Sequence, residues 1–459
     1  MKIAPVLLPS LITIALKPTE VGLNHHKSDH IFTGPSMMKL YHIGFVVFFI
    51  MMLFFPKIPI SFLSFLPEKS SLGLGIFGLF LWLILVYKNC FHISVFPSGV
   101  KILCCFAIYT FLISIASMKI SSIAYASQLL IYCFLGGLLL CNYMQRIMDF
   151  GQLSTLSTIL ITFGLIYSIG VVISVWTGPI YPHQVLWYHR NCPGFNVTRG
   201  TGFSEGPNMA GAILSVFSAL LLFGLKQKWS IVVKVVVIVG LALTVSRAAI
   251  IGLIIGIFVI WLIDFFRYLL AGKFKLKSLI KLLCIPFFIG CLYFLSSYVL
   301  SPDSTIKSVA ECFGIGGDGF SKRLTSNRSE FWQQGIESLN DCHFLTKLFG
   351  SGFHGSSTTT SYGTWLTSHN FYISLFGDFG LFGMVIFVIV FYKYFCVIFK
   401  RLIIIEGYGY ERGTFVAIIS LLAINMTETY FYSPVLISIL IFLFAIQKAA
   451  LKFHSYNKS

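Results

Sequence analysis

Residues 301–372 read SPDSTIKSVAECFGIGGDGFSKRLTSNRSEFWQQGIESLNDCHFLTKLFGSGFHGSSTTTSYGTWLTSHNFY. This stretch is polar up to Ser368, whereas most of the chain on either side of it is apolar. It contains the glycine-rich run Gly350-Ser351-Gly352 and leads through His369-Asn370 into another apolar segment. Because chemistry and recognition concentrate in loops held by a rigid scaffold, residues 301–368, the large loop, are the first candidate for a functional region.

The composition excludes a soluble globular protein. Of the 459 residues, 57% are hydrophobic and 11% are charged, which is more apolar surface than a water-soluble domain can bury. In hydrocarbon every backbone N–H and C=O group needs a partner within its own segment, so apolar runs of this length form helices. The sequence therefore predicts an all-α fold, a polytopic transmembrane helix bundle.

Apolar runs of about 16 to 25 residues recur along the chain and predict about twelve transmembrane spans. The tenth run is long and contains Gly377, Gly380 and Gly383, which favours a break within it. The predicted spans lie near Leu40–Phe55, Leu72–Tyr87, Val100–Ile115, Ile123–Cys141, Leu156–Trp176, Asn208–Leu225, Ile231–Val245, Ala249–Phe266, Leu279–Leu300, Phe371–Phe399, Thr414–Thr427 and Pro434–Leu451.

The spans divide the chain into four segments. Residues 1–36 are expected to be a non-essential N-terminal extension, because prolines interrupt their apolar run and Met37-Met38-Lys39 has the character of a natural start. Spans 1–9 fill residues 37–300, and the large loop follows them. Residues 369–459 hold spans 10–12 and a cytoplasmic tail.

The basic residues predict the orientation of the bundle. The net charge is +17, a value that nucleic-acid-binding proteins also reach, but these charges flank the spans as the positive-inside rule requires. When the N terminus is placed in the cytoplasm, about two-thirds of the 33 Lys and Arg residues fall on the cytoplasmic side. We therefore expect both termini inside, the large loop outside, and no nucleic-acid partner.

The 11 cysteines do not indicate a metal site. Most of them lie inside the apolar spans, and no Cys-x-x-Cys pair occurs, so they are interpreted as small core residues. Cys312 and Cys342 lie in the large loop, where they form either a disulfide in an oxidising compartment or two free thiols. The outer His, Asp and Glu residues also lack the spacing of metal ligands, and we expect no metal.

The loop before the sixth span ends in Arg199-Gly-Thr-Gly-Phe-Ser-Glu205-Gly-Pro-Asn208. Its glycines allow the backbone to approach a ligand closely or to adopt a positive φ, and Asn208 stands where the N-cap of the span is expected. An arginine next to a helix N-terminus favours anion binding, and an ordinary tight re-entry loop is the alternative. Glu205 is a candidate general base or a partner for Arg199.

Arg247 lies between two apolar runs with almost no loop, in the stretch Ser246-Arg247-Ala248-Ala249. An arginine this close to membrane depth is costly without a partner or a water-filled cavity, which makes it a candidate binding residue. The alternative is that its side chain snorkels to the outer headgroups.

The large loop contains a helix start at Asn327-Arg328-Ser329-Glu330. Asn327 fits the N-cap and Glu330 reaches back to it, as in a capping box, and we expect the helix to end near Asn340. Arg328 and Trp332 are four residues apart and share one face of this helix, where a cation–π contact is feasible. An amphipathic helix that lies on the surface of the bundle is the alternative.

His369 stands where the large loop meets the tenth span, at the mouth of the bundle. A histidine near a membrane surface usually caps a helix or completes a hydrogen bond. This histidine follows a long polar loop and titrates near neutrality, so it is also a candidate catalytic residue.

In their order and spacing these motifs resemble the O-antigen ligase and polymerase superfamily of bacterial envelope glycan enzymes. The resemblance extends from about Arg199 to Lys400, whereas the first five spans match by hydropathy alone. The motifs that carry it are Arg199-Gly-Thr-Gly-Phe-Ser-Glu-Gly-Pro-Asn208, Leu243-Thr-Val-Ser-Arg247-Ala-Ala, Arg328-Ser-Glu-Phe-Trp332, the glycines from Gly350, His369-Asn370-Phe-Tyr and Gly380-Leu-Phe-Gly383.

The resemblance implies a GT-C-like bundle in the bacterial inner membrane, with one large periplasmic loop. It implies a metal-independent glycosyl transfer, without a cofactor, from undecaprenyl diphosphate-linked sugars. Arg199, Arg247 and Arg328 would match the arginines that hold the lipid diphosphate, and Arg323 is a further candidate. His369 would match the histidine at the active cleft. Glu205 stands where some relatives carry a different polar residue, which leaves the general base open between these two.

Within this superfamily we favour an O-antigen polymerase, which transfers the growing lipid-linked chain onto a new lipid-linked repeat unit. Its partners would be undecaprenyl diphosphate-linked oligosaccharide, membrane lipid and, as a candidate, a chain-length regulator protein. An O-antigen ligase, which moves finished polymer to the lipid A core, is the alternative within the class. A lipid-linked oligosaccharide flippase or other transporter is the alternative outside it. Transporters favour midplane ionisable residues and paired halves, whereas here the charges crowd the outer surface and no internal repeat is visible.

Overall fold

A computed structural model shows the chain as a bundle of α-helices with two short β-hairpins in the connecting segments. Outside the large loop the helices coincide with the apolar runs, because an α-helix satisfies every backbone group within its own segment. The structure describes residues 35–54, 74–86, 96–149, 153–180, 189–192, 195–225, 230–270, 272, 328–353, 358–359, 365–366, 369–404 and 409–456.

Before the large loop the helices are α1 (Pro35–Phe54), α2 (Leu74–Val86), α3 (Ser98–Ala116), α4 (Ile120–Ile131), α5 (Gly137–Asp149), α6 (Leu153–Thr177), α7 (Pro207–Gly224), α8 (Ser230–Leu243) and α9 (Arg247–Leu270). A π-helical segment, Tyr132–Gly136, joins α4 directly to α5. Strands β1 (His189–Cys192) and β2 (Phe195–Thr198) form an antiparallel hairpin in which His189 pairs with Thr198.

From the large loop onward the helices are α10 (Arg328–Asn340), α11 (Phe344–Phe349), α12 (Phe371–Ile404), α13 (Gly409–Ile424) and α14 (Pro434–Tyr456). A 3₁₀ turn, Tyr430–Tyr432, lies between α13 and α14. The second hairpin pairs β3 (Thr358–Thr359) with β4 (Trp365–Leu366) in the antiparallel sense.

A helix lies at each predicted span except the ninth, near Leu279–Leu300, which lies outside the described residues together with residues 1–34 of the expected extension. The chain is a multi-pass helical membrane protein, while the number of its spans and their orientation stay predictions. Six helices in the described part are long and apolar enough to cross a membrane: Ser98–Ala116, Ile120–Ile147, Ser154–Thr177, Pro207–Gly224, Arg247–Leu270 and Phe371–Phe399. Shorter apolar helices cover Met38–Phe54, Gly75–Val86, Ser230–Leu243 and Pro434–Ala449.

Helices α9 and α13 run antiparallel at very short distance, and both pack against α7. A Cβ atom on Gly252 would lie 2.8 Å from the carbonyl oxygen of Ser420, and one on Gly256 would lie 2.7 Å from that of Val416. Small residues four apart let helix backbones approach in this way inside membranes. The close packing fixes the start of α9 beside the end of α13, where the candidate site lies.

Helix α12 is broken at Gly380, as the glycines of the tenth span predict. Gly380 has φ 64° and ψ −167°, a conformation that glycine adopts without steric cost. At the break, the backbone N–H of Gly352 donates to the carbonyl of Asp378 at 2.9 Å. A Cβ on Gly350 would lie 2.2 Å from the same oxygen, so the glycine run of the large loop fits against the break.

Helix α10 confirms the helix predicted in the large loop and ends at Asn340 as expected. Its predicted cap, Asn327, lies outside the described residues, and so does the side chain of Arg328, so the predicted capping box and cation–π contact are not tested. Cys342 is a free thiol in the structure. Cys312, its candidate disulfide partner, lies outside the described part of the chain.

Candidate active site

The glycine-rich loop that follows β2 is held on the end of α6 by a serine hydroxyl. Ser174 Oγ accepts hydrogen bonds from the backbone N–H groups of Thr201 and Gly202, each at 3.1 Å. Gly202 has φ 54°, and a Cβ on Gly200 would lie 2.5 Å from a side-chain carbon of α6. The loop therefore requires its glycines, as the sequence predicts, and it fixes the backbone at Arg199.

The guanidinium of Arg199 spans the turn between α8 and α9. Its Nε donates to the carbonyl of Thr244 at 3.2 Å, and its Nη2 donates to the carbonyl of Val245 at 3.5 Å. Helix α9 begins two residues later at Arg247, whose side chain is half-exposed. The structure thus brings two of the predicted diphosphate-binding arginines onto adjoining segments.

The turn itself is conformationally strained. Val245 has φ 51°, a region that β-branched residues rarely adopt. Hydrogen bonds hold it on both sides: the N–H of Ser246 donates to Thr244 Oγ1 at 3.2 Å, and the N–H of Gly200 donates to the carbonyl of Leu243 at 2.8 Å. Strain of this kind persists where the surroundings over-determine the backbone, and it is concentrated at functional sites.

Asn208 does not cap α7, and the expectation that it does is wrong. The helix begins at Pro207 with Gly206 as its N-cap, because the fixed φ of proline suits the first helical position. Asn208 therefore falls in the first turn, where its side chain bridges two charged groups. Its Oδ1 accepts from Nη2 of Arg199 at 2.6 Å, and its Nδ2 donates to Oε1 of Glu428 at 2.8 Å.

Glu428 is a site residue that the sequence reasoning missed. It lies between α13 and α14, and 6% of its surface is exposed. A buried carboxylate requires hydrogen bonds and a nearby positive charge. Here Asn208 donates a hydrogen bond to Glu428 and accepts one from the Arg199 guanidinium, which supplies the positive charge. We call this series the Arg199–Asn208–Glu428 chain. The indication available in the sequence was an isolated acid between two apolar spans, a placement typical of functional residues.

The start of α12 is tied to the same connection between α13 and α14. Asn370 caps α12, since its Oδ1 accepts from two N–H groups of the first turn at 2.9 and 3.2 Å. The N–H of Phe371 lies 2.9 Å from the carbonyl of Asn425 and 3.0 Å from that of Glu428. These bonds place the predicted His369-Asn370 pair beside the Arg199–Asn208–Glu428 chain.

His369 precedes this cap with φ 47°, another residue held in the left-handed region. Its ring centroid lies 5.7 Å from that of Phe331 in α10. Phe331 is one turn from Arg328, the first residue of α10, so the N-terminal turn of this helix lies near His369. The side chain of Arg328 and all of Arg323 lie outside the described residues.

A cavity of about 250 Å³ lies next to the Arg199–Asn208–Glu428 chain, and Glu205 lines it. Glu205 is half-exposed and precedes Asn208 by three residues, while the lining residue Thr429 directly follows Glu428. The cavity therefore shares two chain segments with the arginine site. Its other polar or aromatic lining residues are Tyr125, Gln128, Tyr132, Tyr430, Tyr432 and Ser433.

A second buried carboxylate, Asp378, lies at the break of α12 and is 1% exposed. Burial, followed by the charge of Asp378 and a hydrogen bond with it, raises the pKa of Tyr432 well above its usual range. Tyr432 belongs to the 3₁₀ turn and lines the cavity. Its phenol therefore stays protonated at neutral pH and is a hydrogen-bond donor.

Within the described ranges, no group of three or more His, Cys, Asp or Glu side chains is arranged to hold a metal ion. What the site offers is positive charge from arginine, buried carboxylates and tyrosine hydroxyls, brought together from α4, α7, α9, α12 and the connection after α13.

A family model described as O-antigen ligase matches residues 232–388, roughly a third of the chain. The matched segment includes Arg247, Arg328 and His369, and it excludes Arg199 and Glu205. No curated protein matches the chain significantly. The family match supports the O-antigen ligase and polymerase superfamily of membrane glycosyltransferase-like enzymes, and it does not separate a polymerase from a ligase.

Proposed function

We propose that the chain is an O-antigen polymerase that transfers a lipid diphosphate-linked sugar chain onto a lipid-linked repeat unit. The observation that carries the proposal is the Arg199–Asn208–Glu428 chain, which holds a guanidinium against the turn that directly precedes Arg247. Two arginines on adjoining segments suit a ligand with several phosphate oxygens, because guanidinium groups form charge-assisted hydrogen bonds with such oxygens.

The proposed reaction exchanges one bond at the anomeric carbon of the donor. The oxygen of an acceptor hydroxyl bonds to that carbon, and the bond from the carbon to the diphosphate oxygen breaks. The electron pair of this bond stays on the lipid diphosphate, and the proton of the hydroxyl passes to a base. Arginine groups held in place before the reaction stabilise the negative charge that grows on the leaving oxygen.

The base must lie within hydrogen-bond reach of the acceptor hydroxyl, and two residues are candidates. Glu205 lines the cavity beside the Arg199–Asn208–Glu428 chain. His369 precedes the first turn of α12, which is bonded to the segment of Glu428. A pH profile of the rate, measured for Glu205→Gln and His369→Gln in turn, identifies the base as the residue whose replacement removes the lower-pH limb.

The proposal includes a position in the cell. The protein spans the inner membrane with both termini in the cytoplasm, and the site faces the periplasm with the large loop. The undecaprenyl tail of the donor enters from the bilayer between helices, whereas its diphosphate reaches the arginines. The reaction uses neither a cofactor nor a metal ion.

An O-antigen ligase is the second candidate, because the matching family model carries that description. The two enzymes share the donor and the arginine chemistry and differ in the acceptor. Deletion of the gene in its host separates them: single-repeat lipopolysaccharide indicates a lost polymerase, whereas bare core lipid A with unattached polymer indicates a lost ligase.

The direct test is reconstitution of the purified protein in liposomes with a synthetic undecaprenyl diphosphate-linked repeat unit. We expect products longer than one repeat unit and release of undecaprenyl diphosphate. If the repeat unit is transferred only when lipid A core is added, the protein is a ligase and not a polymerase. If the substrate crosses the bilayer of the vesicles without being converted, the protein is a transporter and neither enzyme.

A further inference from the structure

We infer that the cavity of about 250 Å³ beside Glu205 is the subsite for the terminal sugar of the acceptor. The inference deepens the proposed function and rests on it. The cavity lies where an acceptor is needed, since Glu205 and Thr429 join its wall to the segments of Asn208 and Glu428 that position Arg199.

The lining of the cavity has the chemistry of a sugar site. Rings of Tyr125 and Tyr430 offer apolar faces for the C–H groups of a pyranose, while Glu205 and Gln128 offer polar groups for its hydroxyls. Sites for small ligands combine a largely apolar wall with a few placed polar groups in this manner. An isoprenoid tail cannot form hydrogen bonds with a carboxylate, an amide or hydroxyls, and so the lipid tail does not fit this cavity.

The size of the cavity limits the occupant. Sites for drug-sized ligands enclose about 300–1,000 Å³, and this cavity is smaller, at about 250 Å³. It is suited to one terminal sugar ring, with the rest of the repeat unit extending out of it. This is the geometry an acceptor requires, because only its terminal hydroxyl takes part in the reaction.

Gln128 is the observation that points to a ligand. Its side chain is 5% exposed and lines the cavity, and no residue in the described part of the chain hydrogen-bonds its side-chain amide. An amide that lines a cavity can bind a polar ligand there, and sugar hydroxyls supply both an acceptor for its N–H groups and a donor for its oxygen. The π-helical segment Tyr132–Gly136 follows immediately, and such irregular turns are frequent at functional sites.

This placement selects Glu205 over His369 as the group facing the acceptor. The carboxylate of Glu205 lies on the wall that the acceptor sugar would occupy, whereas the ring of His369 contacts Phe331 of α10. Glu205 would take the proton of the acceptor hydroxyl, while Arg199 and Arg247 bind the departing diphosphate.

The experiment separates donor from acceptor by chemistry. The donor is a synthetic undecaprenyl diphosphate-linked repeat unit whose acceptor hydroxyl is methylated, so that it cannot accept. The acceptor is the same repeat unit on an alkyl chain without diphosphate, so that it cannot donate. Rates are measured for the full-length protein in liposomes, with each substrate varied in turn.

We expect Gln128→Leu, which keeps the volume and removes the amide, to raise the acceptor KM on the order of five- to tenfold, the worth of one to two neutral hydrogen bonds. The donor KM is expected to stay unchanged. Tyr430→Leu removes an aromatic ring from another wall of the cavity, and it is also expected to raise the acceptor KM. Gln447→Leu is the matched control, because Gln447 is also buried, at 6% exposure, and lies on α14 away from the cavity lining.

Three results overturn the inference. Unchanged acceptor KM in both Gln128→Leu and Tyr430→Leu, with wild-type transfer intact, means that the cavity does not bind the acceptor although the proposed function stands. A raised donor KM with an unchanged acceptor KM assigns the cavity to the donor sugar. If the wild-type protein transfers nothing, the proposed function fails, and binding of the alkyl-linked repeat unit then tests the acceptor subsite directly. The inference is overturned if this binding is not saturable, or if Gln128→Leu binds the repeat unit as tightly as the wild-type protein does.

Discussion

At the residue scale, the arginines distinguish a diphosphate site from a merely basic membrane face. We predict that Arg199→Lys and Arg247→Lys each lower the transfer rate about a hundredfold, the equivalent of on the order of 3 kcal/mol for one transition-state contact. Lysine keeps the charge but loses the planar guanidinium, whose donors also hold Arg199 in place through Thr244 and Asn208. The measurement is the rate of undecaprenyl diphosphate release from the synthetic donor, at matched protein levels.

Arg267→Lys is the control for both variants. Arg267 lies in the last turn of α9, and its Nη2 is 3.7 Å from Asp264. A lysine there keeps the charge near Asp264, so we expect a wild-type rate. Wild-type rates in Arg199→Lys and Arg247→Lys as well would mean that these arginines bind headgroups or carbonyls and do not hold the diphosphate.

The Arg199–Asn208–Glu428 chain makes a second prediction at this scale. Asn208→Ala removes the side-chain acceptor of the Arg199 guanidinium, and Glu428→Ala removes the group that orients Asn208. We expect each to slow transfer on the order of tenfold, the worth of one hydrogen bond to a charged group. Because both act through Arg199, the double variant is expected to be no slower than the slower single variant, a coupling of about 1–3 kcal/mol. Glu428→Gln keeps an acceptor for the Asn208 amide and should retain most of the activity.

Rates of the two single variants and the double variant give the coupling energy in one double-mutant cycle. Additive losses would show that Glu428 acts independently of Asn208 and Arg199. A cycle between Asn208→Ala and Arg267→Lys is the reference, since Arg267 lies in the last turn of α9, at the end opposite the site, and the two effects should add.

At the scale of elements, the break in α12 joins the large loop to the bundle. Gly380 has φ 64°, and a Cβ there would lie 2.4 Å from the carbonyl of Leu348. We predict that Gly380→Ala destabilises the protein by about 1–3 kcal/mol through backbone strain and steric overlap. The measurement is the midpoint of thermal unfolding in detergent.

Gly136→Ala is the matched control for the break. Gly136 also lies in an irregular part of a span, but the nearest atoms to its Cβ would be those of Leu79 at 3.9 Å, an ordinary contact. An unfolding midpoint for Gly380→Ala as high as that of Gly136→Ala would mean that α12 tolerates straightening and that the large loop does not depend on the break.

Elements were predicted well from the sequence because bilayer thickness sets the length of an apolar helix. The break at Gly380 and the helix Arg328–Asn340 were likewise visible, since both depend on local residue types. The hydrogen bond between Asn208 and Glu428 could not be predicted from the sequence, because it joins residues 220 positions apart. The cap of α7 was misplaced by a local competition, in which Pro207 took the first helical position.

At the scale of the whole molecule, α9 and α13 carry different chemistry at their two ends. The start of α9, at Arg247, and the end of α13 lie at the candidate site. At the opposite end Arg412 pairs with Asp264, and Arg401 lies 3.0 Å from the buried carboxylate of Glu411. At that end the arginines and carboxylates therefore pair with one another. At the site end, Arg199 and Glu428 instead lie next to a cavity of ligand size.

A metal-independent reaction predicts that the whole enzyme tolerates chelation. We expect the transfer rate to be unchanged after treatment with excess EDTA, because arginine supplies the charge stabilisation that a divalent ion supplies in other transferases. The measurement is the same release of undecaprenyl diphosphate, with an EDTA-sensitive glycosyltransferase as a positive control. Loss of the rate in EDTA and its recovery with one divalent ion would require a metal in the mechanism.

The orientation of the bundle is the prediction on which the position of the site in the cell depends. In a variant whose native cysteines are replaced, we introduce Glu337→Cys, at an exposed position of α10, or Lys39→Cys, at an exposed position near the start of α1. A membrane-impermeant maleimide added to intact spheroplasts is expected to label Glu337→Cys and to leave Lys39→Cys unlabelled until the membrane is permeabilised. The positive-inside rule requires this pattern, since it keeps the more basic flanks in the cytoplasm. The reverse pattern would place the arginines of the site in the cytoplasm and would remove the proposed reaction from the periplasm.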